Sequence, residues 1–160
     1  MSDADANARA LVDTWAIGAR ITRYLLDGLP AARLEAAPGG KGRTIRDLFA
    51  HLHDVRLMWL KAARPDLMAG VTKIGSGSAA DQQALAAALD ASAAAVATMV
   101  ADSAAADGRV KGFKPHVTAF VGYLLSHEAH HRGQVALVAR LAGSPIDKKV
   151  SYGMWEWGTR

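Results

Sequence analysis

The side chains best suited to chemistry lie in one stretch near the end of the chain, which reads His127-Glu128-Ala129-His130-His131-Arg132-Gly133-Gln134. If this stretch is an α-helix, His127 and His131 lie one turn apart on the same face. Both imidazoles can then reach a single metal ion. The spacing therefore predicts a metal site on a helix.

His127 and His131 interrupt an apolar stripe whose other members recur at steps of three and four, namely Phe120, Leu124, Val135 and Val138. An inward-facing imidazole must be satisfied by hydrogen bonds or by a metal. For a single histidine on such a stripe, hydrogen bonding within the core is the better interpretation. Two histidines at this spacing each need a separate polar partner unless one ion serves both, so the pair favours a metal.

A third ligand is expected from an earlier helical segment. His51 shares a face with Leu48, Val55 and Met58, and this face is otherwise apolar. His53 lies about 200° away from His51 around a helix, on a more mixed face that we expect to be peripheral. His51 is therefore the better candidate, with His53 in reserve.

The two remaining histidines and one glutamine are weaker candidates. His116 precedes His127 by eleven residues, about 16 Å along a helix, so we expect a helix-start or surface residue. His130 lies about 100° from His131, towards a neighbour or the rim of a pocket. Gln134, one turn from His131 and His130, can hydrogen-bond a ligand histidine or a metal-bound water, although a plain helix-packing contact is equally consistent.

The stretch also matches H-E-x-x-H, the zinc-protease signature. A protease needs Glu128 as general base and a further ligand, but the next acids, Asp147 and Glu156, lie beyond the end of the helix. It also needs a strand to hold a peptide, and the sequence shows no strand pattern. We interpret the match as accidental and expect Glu128, one residue off the ligand stripe, to face solvent or a subunit neighbour.

Four long helical patterns have to position these side chains. They run from about 5 to 26, 44 to 63, 78 to 106 and 115 to 141. Thr44 with Asp47, and Ser78 with Asp81, resemble capping boxes. Pro115 is expected in the first turn of the last long helix, and Gly143 is expected to end it. This pattern predicts an all-α four-helix bundle, followed by a short C-terminal tail, within a single domain of residues 1–160.

Composition excludes several classes of protein. The net charge is +4 and the Lys and Arg residues are scattered, which argues against nucleic-acid binding. The chain has no cysteine, so it supplies no disulfide and no thiolate ligand or nucleophile. The N-terminus, Met1-Ser2-Asp3-Ala4-Asp5, does not resemble a signal peptide, and no apolar run approaches the ~20 residues of a membrane span. We expect a soluble cytoplasmic protein.

The segment Thr44-Ile45-Arg46-Asp47-Leu48-Phe49-Ala50-His51-Leu52, followed by H-x-x-x-H-R-G-Q from His127 and by the Gly/Trp-containing tail 153–157, resembles the DinB/YfiT-like superfamily of bacterial metal-binding four-helix bundles. The H-R-G-Q string is the more specific part, and the resemblance covers nearly the whole chain. It implies a metal site made of His51, His127 and His131, with water in the remaining positions. It also implies a homodimer.

Three neutral imidazoles leave the ion's 2+ charge and open positions, so the ion can lower the pKa of bound water or deprotonate a bound thiol. Imidazole suits Zn, Ni, Fe or Cu. Relatives in the superfamily include S-transferases and isomerases that use small thiols such as bacillithiol or mycothiol. The leading hypothesis is therefore a metal-dependent enzyme in which the ion activates a low-molecular-weight thiol cosubstrate for attack on an electrophile.

Two other hypotheses remain: hydrolysis by metal-bound hydroxide assisted by Gln134 or His130, and a non-catalytic metal- or small-ligand-binding protein of the stress response. Thiol chemistry predicts a basic, partly apolar pocket beside the ion. Hydrolysis predicts a general base within hydrogen-bond reach of the bound water. A non-catalytic site is expected to be sealed or fully coordinated.

Other side chains near the motif have structural interpretations. Arg56 and Arg132 are the nearest cations for an anionic substrate, although ordinary surface charge is the simpler interpretation. Trp155 and Trp157 can wall the pocket or the dimer interface. Gly133 in mid-helix costs roughly 1 kcal/mol relative to alanine, so we expect close approach of another helix there.

Overall fold

The computed structural model describes residues 3–160, and within that range it is helical, with no strand beyond an isolated bridge between Arg109 and His116. The helices are α1 (Asp3–Asp27), α2 (Ile45–Ala63), α3 (Gln82–Ala105), α4 (Val117–Leu141) and α5 (Lys148–Gly153), with short 3-10 turns at Ala31–Glu35, Pro38–Gly40 and Pro65–Met68. The predicted four-helix bundle is confirmed. The signal-peptide argument rests partly on Met1 and Ser2, which lie outside the described residues.

The ends of the helices that carry the histidines follow local capping chemistry. The Thr44 hydroxyl accepts a hydrogen bond from the Asp47 backbone amide, and the Asp47 carboxylate accepts one from the Thr44 amide, which completes the predicted capping box. At the end of α4, Gly143 has a φ of 75°. The Gly143 and Ser144 amides donate back to Arg140 and Ala139, as expected for a glycine that ends a helix.

Two predicted helix starts are wrong, and the predicted C-terminal tail contains a short helix. Helix α3 begins after Asp81, whose carboxylate accepts from the Ala84 amide, whereas Ser78 belongs to the loop before it. Helix α4 begins after His116, whose Nδ1 accepts from the Ala119 amide, so Pro115 precedes the cap. Within the tail, residues 148–153 form α5, and the Asp147 carboxylate accepts from the Lys149 amide at its start.

The core consists of two apolar clusters, because α1 and α2 each pack against both α3 and α4. One cluster contains Leu25, Phe49, Leu85 and Val135, and the other contains Trp15, Leu60, Val96 and Phe120. Between them lie four buried polar side chains that hydrogen-bond to one another, one from each long helix, and these are Thr22, Arg56, Ser92 and Glu128. We call these four residues the polar layer. The histidines of α4 lie at the same level of the bundle.

Helix α3 is long and apolar enough to cross a membrane by length and composition alone, with a mean hydropathy of 1.7 in its most apolar window. The prediction that no apolar run approaches such a length is therefore wrong. Alanine accounts for most of its apolar residues, while Leu85, Leu89, Val96 and Met99 are buried in the bundle. The same composition therefore describes a core helix of small side chains.

Candidate metal centre

The structure brings together His51 from α2 and His127 and His131 from α4. One ring nitrogen of each lies within 4.8 Å of the others. The ring centroids are 5.3 Å apart for His51 and His127, 4.6 Å for His51 and His131, and 4.5 Å for His127 and His131. The three side chains predicted from the sequence therefore meet, and their binding of an ion stays a prediction.

The spacing of the ring nitrogens fits a shared ion. The Nε2 atoms of His127 and His131 are 3.1 Å apart. Two imidazole nitrogens that each bind one ion at about 2.0–2.1 Å lie roughly 3 Å from one another. The two nitrogens therefore already have the separation that binding to one shared ion requires.

Gln134 holds the ring of His131 in one orientation. Its Oε1 lies 2.7 Å from Nδ1 of His131, and its amide nitrogen lies 3.1 Å from Nε2 of His130. Because a carbonyl oxygen only accepts, Nδ1 of His131 carries the proton and its Nε2 presents a lone pair to the triad. The predicted contact between Gln134 and His131 is present. A role for Gln134 in metal binding stays a prediction.

The surroundings keep the three imidazoles neutral. Burial, followed by the positive charge of Arg43, lowers the pKa of His51 from 6.5 to about 4. Burial is also the largest influence that lowers the pKa of His127 and of His131. A metal ligand must be deprotonated, and these histidines meet that condition at neutral pH.

One of the three histidines, His51, lines a cavity of about 590 Å³, which we call the histidine cavity. His51, Val55, Met58 and Lys61 line it from α2, with Arg43 and Lys73 from the flanking loops. His51 and His127 are half-buried and His131 is 6% exposed. Met58, at 53% exposure, shows that the predicted stripe on α2 borders this cavity as well as the core.

His53 lies away from the triad. It is fully buried, which contradicts the peripheral position predicted for it, and its Nε2 lies 2.9 Å from the carbonyl oxygen of Thr72. This contact ties α2 to the loop before α3. His51, and not His53, is therefore the α2 histidine that reaches His127 and His131.

The predicted exposure of Glu128 is wrong. This side chain is 1% exposed, and its carboxylate accepts from Nε of Arg56 at 2.8 Å and from the Thr22 hydroxyl at 2.7 Å. Helix α4 packs against both α1 and α2, so a residue just off the ligand stripe still points into the bundle. Both carboxylate oxygens are engaged by these hydrogen bonds. This arrangement agrees with rejecting the protease interpretation, in which Glu128 would be the general base.

Arg56 and Arg132 are also misassigned as surface cations. Arg56 is 1% exposed, donates to the Leu89 carbonyl oxygen and the Ser92 hydroxyl, and lies over the Trp15 ring. Arg132 donates to the Thr22 hydroxyl at 2.9 Å, and burial lowers its pKa. Both arginines belong to the interior of the bundle.

The cations that line the histidine cavity are Arg43, Lys61 and Lys73, which the sequence argument missed. Lys61 was recognisable, because it continues the stripe of His51 and Met58 at helical spacing. Arg43 and Lys73 lie in loops, where no periodicity reports the direction of a side chain.

Gly133 does not mark a close helix contact. A Cβ at this position would meet nothing within 4 Å, which contradicts the predicted close approach. The glycine borders a second cavity, of about 390 Å³, walled in part by Trp155 and Trp157. The two tryptophans therefore line this second cavity, and they are absent from the lining of the histidine cavity.

The family resemblance inferred from the sequence is confirmed by comparison with known proteins. A family model described as the DinB family matches residues 1–153, a range that includes all three histidines. No curated protein and no solved structure matches the chain.

Proposed function

This chain belongs to the DinB family, and from that membership and its open histidine triad we propose that it is a metal-dependent enzyme that activates a low-molecular-weight thiol for attack on an electrophile. The observation that carries the proposal is the histidine cavity, in which the neutral imidazole of His51, one member of the triad, borders a basic and partly apolar space. Such a space suits a small-molecule substrate.

The thiol has to come from outside the chain, which has no cysteine. A divalent ion held by His51, His127 and His131 would supply Lewis acidity that lowers the pKa of a thiol or a water molecule. In the transfer reaction the thiol loses its proton to water and its sulfur forms a bond to the electrophilic carbon. The bond to the leaving group breaks, and that group departs with the electron pair.

The chain's own residues favour thiol chemistry over hydrolysis. The carboxylate that lines the cavity, Asp54, accepts hydrogen bonds from the Ile74 and Gly75 amides, one at each oxygen. Both oxygens are thus engaged by the loop backbone, whereas a general base needs an oxygen within hydrogen-bond reach of the bound water. Gln134 is bonded to His131 and His130 and does not titrate. A purely structural metal site is disfavoured by the size of the adjoining space.

We further propose that the ion is Zn, Ni or Fe, which imidazole ligands suit, and that the protein is a cytoplasmic homodimer. Exposed apolar side chains on α4 and the C-terminal segment support the dimer, and they are Leu137, Leu141, Tyr152 and Trp155. Light scattering of the purified protein tests the oligomeric state directly.

The first experiment is the metal content of protein purified without chelators or a histidine tag, with His127→Ala as the test variant and His130→Ala as the matched control. We expect near-stoichiometric metal in the wild type and in His130→Ala, and loss in His127→Ala. Metal-loaded protein is then assayed for thiol consumption with a panel of electrophiles. Equal metal content in all three proteins, or none after reconstitution, would remove the basis for the enzyme.

If metal binds but thiol consumption stays at the background rate, the transfer activity is wrong even though the metal site is right. Turnover of ester or amide substrates without a thiol would instead support the hydrolase. The two parts of the proposal therefore fail separately.

A further inference from the structure

The histidine cavity carries an excess of positive charge. Arg43, Lys61 and Lys73 line it. Among the described side chains, those of residues 5–160, Arg43, Lys61 and Lys73 have no ion-pair partner and no hydrogen-bond partner. This contrasts with Arg23, Arg46 and Arg64, each of which pairs with a carboxylate on the surface. Three cations around one space, all without a partner, indicate a site for an anion.

The single carboxylate in the lining does not cancel this charge. Both oxygens of Asp54 accept from backbone amides of the loop, at 3.0 Å from Ile74 and 3.0 Å from Gly75. The Asp54 carboxylate is therefore engaged by the backbone amides of the loop that lines the cavity. An anionic ligand would meet the ammonium and guanidinium groups with little competition.

The loop that presents Lys73 is fastened to α2 by three side chains. The Thr72 carbonyl oxygen contacts His53, the Ile74 and Gly75 amides donate to Asp54, and the Gly77 amide donates to Asp47 at 2.7 Å. The Gly77 amide is also the largest cause that lowers the pKa of Asp47. The loop segment that contains Lys73 is thus held against α2 by hydrogen bonds on both sides of the residue.

Apolar side chains occupy the space between the cations. Val55, Met58 and Met68 line the same cavity, and thioether side chains adapt readily to the shape of a ligand. Arg43 also borders an adjoining space of about 320 Å³ that Gln134 helps to line. It therefore lies beside the triad, where its charge acts on His51, His127 and His131.

We propose that the histidine cavity selects a small substrate that carries carboxylate or phosphate groups, with Arg43, Lys61 and Lys73 holding the anionic end and Val55, Met58 and Met68 holding its apolar part. The inference rests on the proposed function and names its substrate class. The reacting atom lies beside His51, and the negative groups lie among Arg43, Lys61 and Lys73.

The test uses two thiols of matched size, the anionic 3-mercaptopropionate and the neutral 3-mercaptopropionamide. Each is titrated into the full-length protein loaded with Co²⁺, and binding is followed by the cobalt–thiolate charge-transfer band. We expect the carboxylate to bind roughly 5- to 10-fold more tightly than the amide at low salt, because several cations at partly exposed positions each contribute a little. The preference should shrink as salt screens these charges.

Lys61→Gln and Lys73→Gln are the test variants, and Lys41→Gln is the matched control, since Lys41 is exposed and lines neither space. Each test variant should reduce the carboxylate preference roughly 2- to 5-fold, with the affinity for the amide unchanged. Comparing this preference between each variant and the wild type cancels the intrinsic difference in acidity of the two thiols. An unchanged preference in both test variants, or an equal loss in Lys41→Gln, would overturn the inference.

If neither thiol produces the band, thiol activation fails, and the charge selectivity is tested without it. Succinate and succinamide are then titrated into the metal-free protein while the amide resonances of Lys73 and Ser76 are followed by NMR. Salt-sensitive shifts with succinate alone would support an anionic substrate other than the thiol. Identical responses to both compounds would refute an anion site.

Discussion

The contacts of Gln134 determine which ring nitrogen of His131 is free to bind an ion. By accepting from Nδ1 of His131 it leaves Nε2 free of a proton, and its own amide group is oriented by His130. Partners of this kind fix the tautomer and the ring orientation of a ligand histidine. The role of the residue is therefore a matter of orientation rather than of charge.

Replacing Gln134 with leucine should weaken metal binding by roughly 10- to 100-fold, because the His131 ring loses its hydrogen-bond acceptor. Competition between the protein and a coloured chelator measures the loss. Gln83→Leu, at an exposed position of α3, serves as the control and should bind metal as the wild type does. An unchanged affinity in Gln134→Leu would reduce the contact to helix packing.

The polar layer is centred on one buried ion pair, between Arg56 and Glu128. Hydrogen bonds of this pair with Thr22 and Ser92 connect it to the other two long helices. Arg56 and Glu128 are each 1% exposed, and the Nη2 of Arg56 lies 2.7 Å from the Glu128 carboxylate. The pair links α2 to α4, which are the helices that carry the triad. It lies where the two apolar clusters of the core meet.

Glu128→Gln should destabilise the protein by about 3–5 kcal/mol, since removing one member of a buried pair leaves the other charge uncompensated. The free energy of unfolding in urea measures this loss. Asp90→Asn, which removes the exposed partner of Arg23, is the control and should cost less than about 1 kcal/mol. Equal costs for the two variants would mean that the buried pair contributes no more than a surface one.

At the level of helices, local sequence signals predicted much and failed in identifiable places. The capping box at Thr44 and the glycine stop at Gly143 depend on neighbouring residues, so they could be recognised. Glu128 could not be placed, because its burial depends on α4 having neighbours on two sides. Ser78 with Asp81 three residues later fits the capping-box pattern, but Asp81 itself is the N-cap of α3, and the pattern alone does not report this.

The whole molecule should lose stability as the pH falls when metal is absent. The folded pKa of His51 is about 4, below its ordinary value of 6.5, and those of His127 and His131 are lowered too. Below pH 6.5 the unfolded chain therefore binds more protons than the folded one. Stability from these groups is fully present above pH 6.5 and declines towards pH 4.

Urea unfolding in the presence of a chelator, repeated across this pH range, measures the effect. His51→Gln should flatten the dependence between pH 6.5 and 4, whereas His116→Gln, which alters a histidine at the start of α4, should leave the slope in place. A wild-type curve that is flat across the window would contradict the lowered pKa values.

At this scale the family and the bundle were accessible from the sequence, because the helical periodicity and the H-R-G-Q string are local. The walls of the histidine cavity were not. Lys73 reaches it only because Asp47, His53 and Asp54 anchor a distant loop to α2. Cavity walls supplied by loops are the part of the candidate site that spacing along the chain does not report.

The polar layer also limits how the helices can slide. A shift of α4 by one turn, about 5.4 Å along its axis, would withdraw Glu128 from Arg56 and set each charge against apolar side chains. A one-turn slide of α4 along α2 is therefore strongly disfavoured, and the three ring nitrogens keep a fixed spacing. Arg43 and Lys73 stand on loops outside this constraint. Substitutions in these loops can thus change the charge of the histidine cavity while the spacing of the three histidines stays the same.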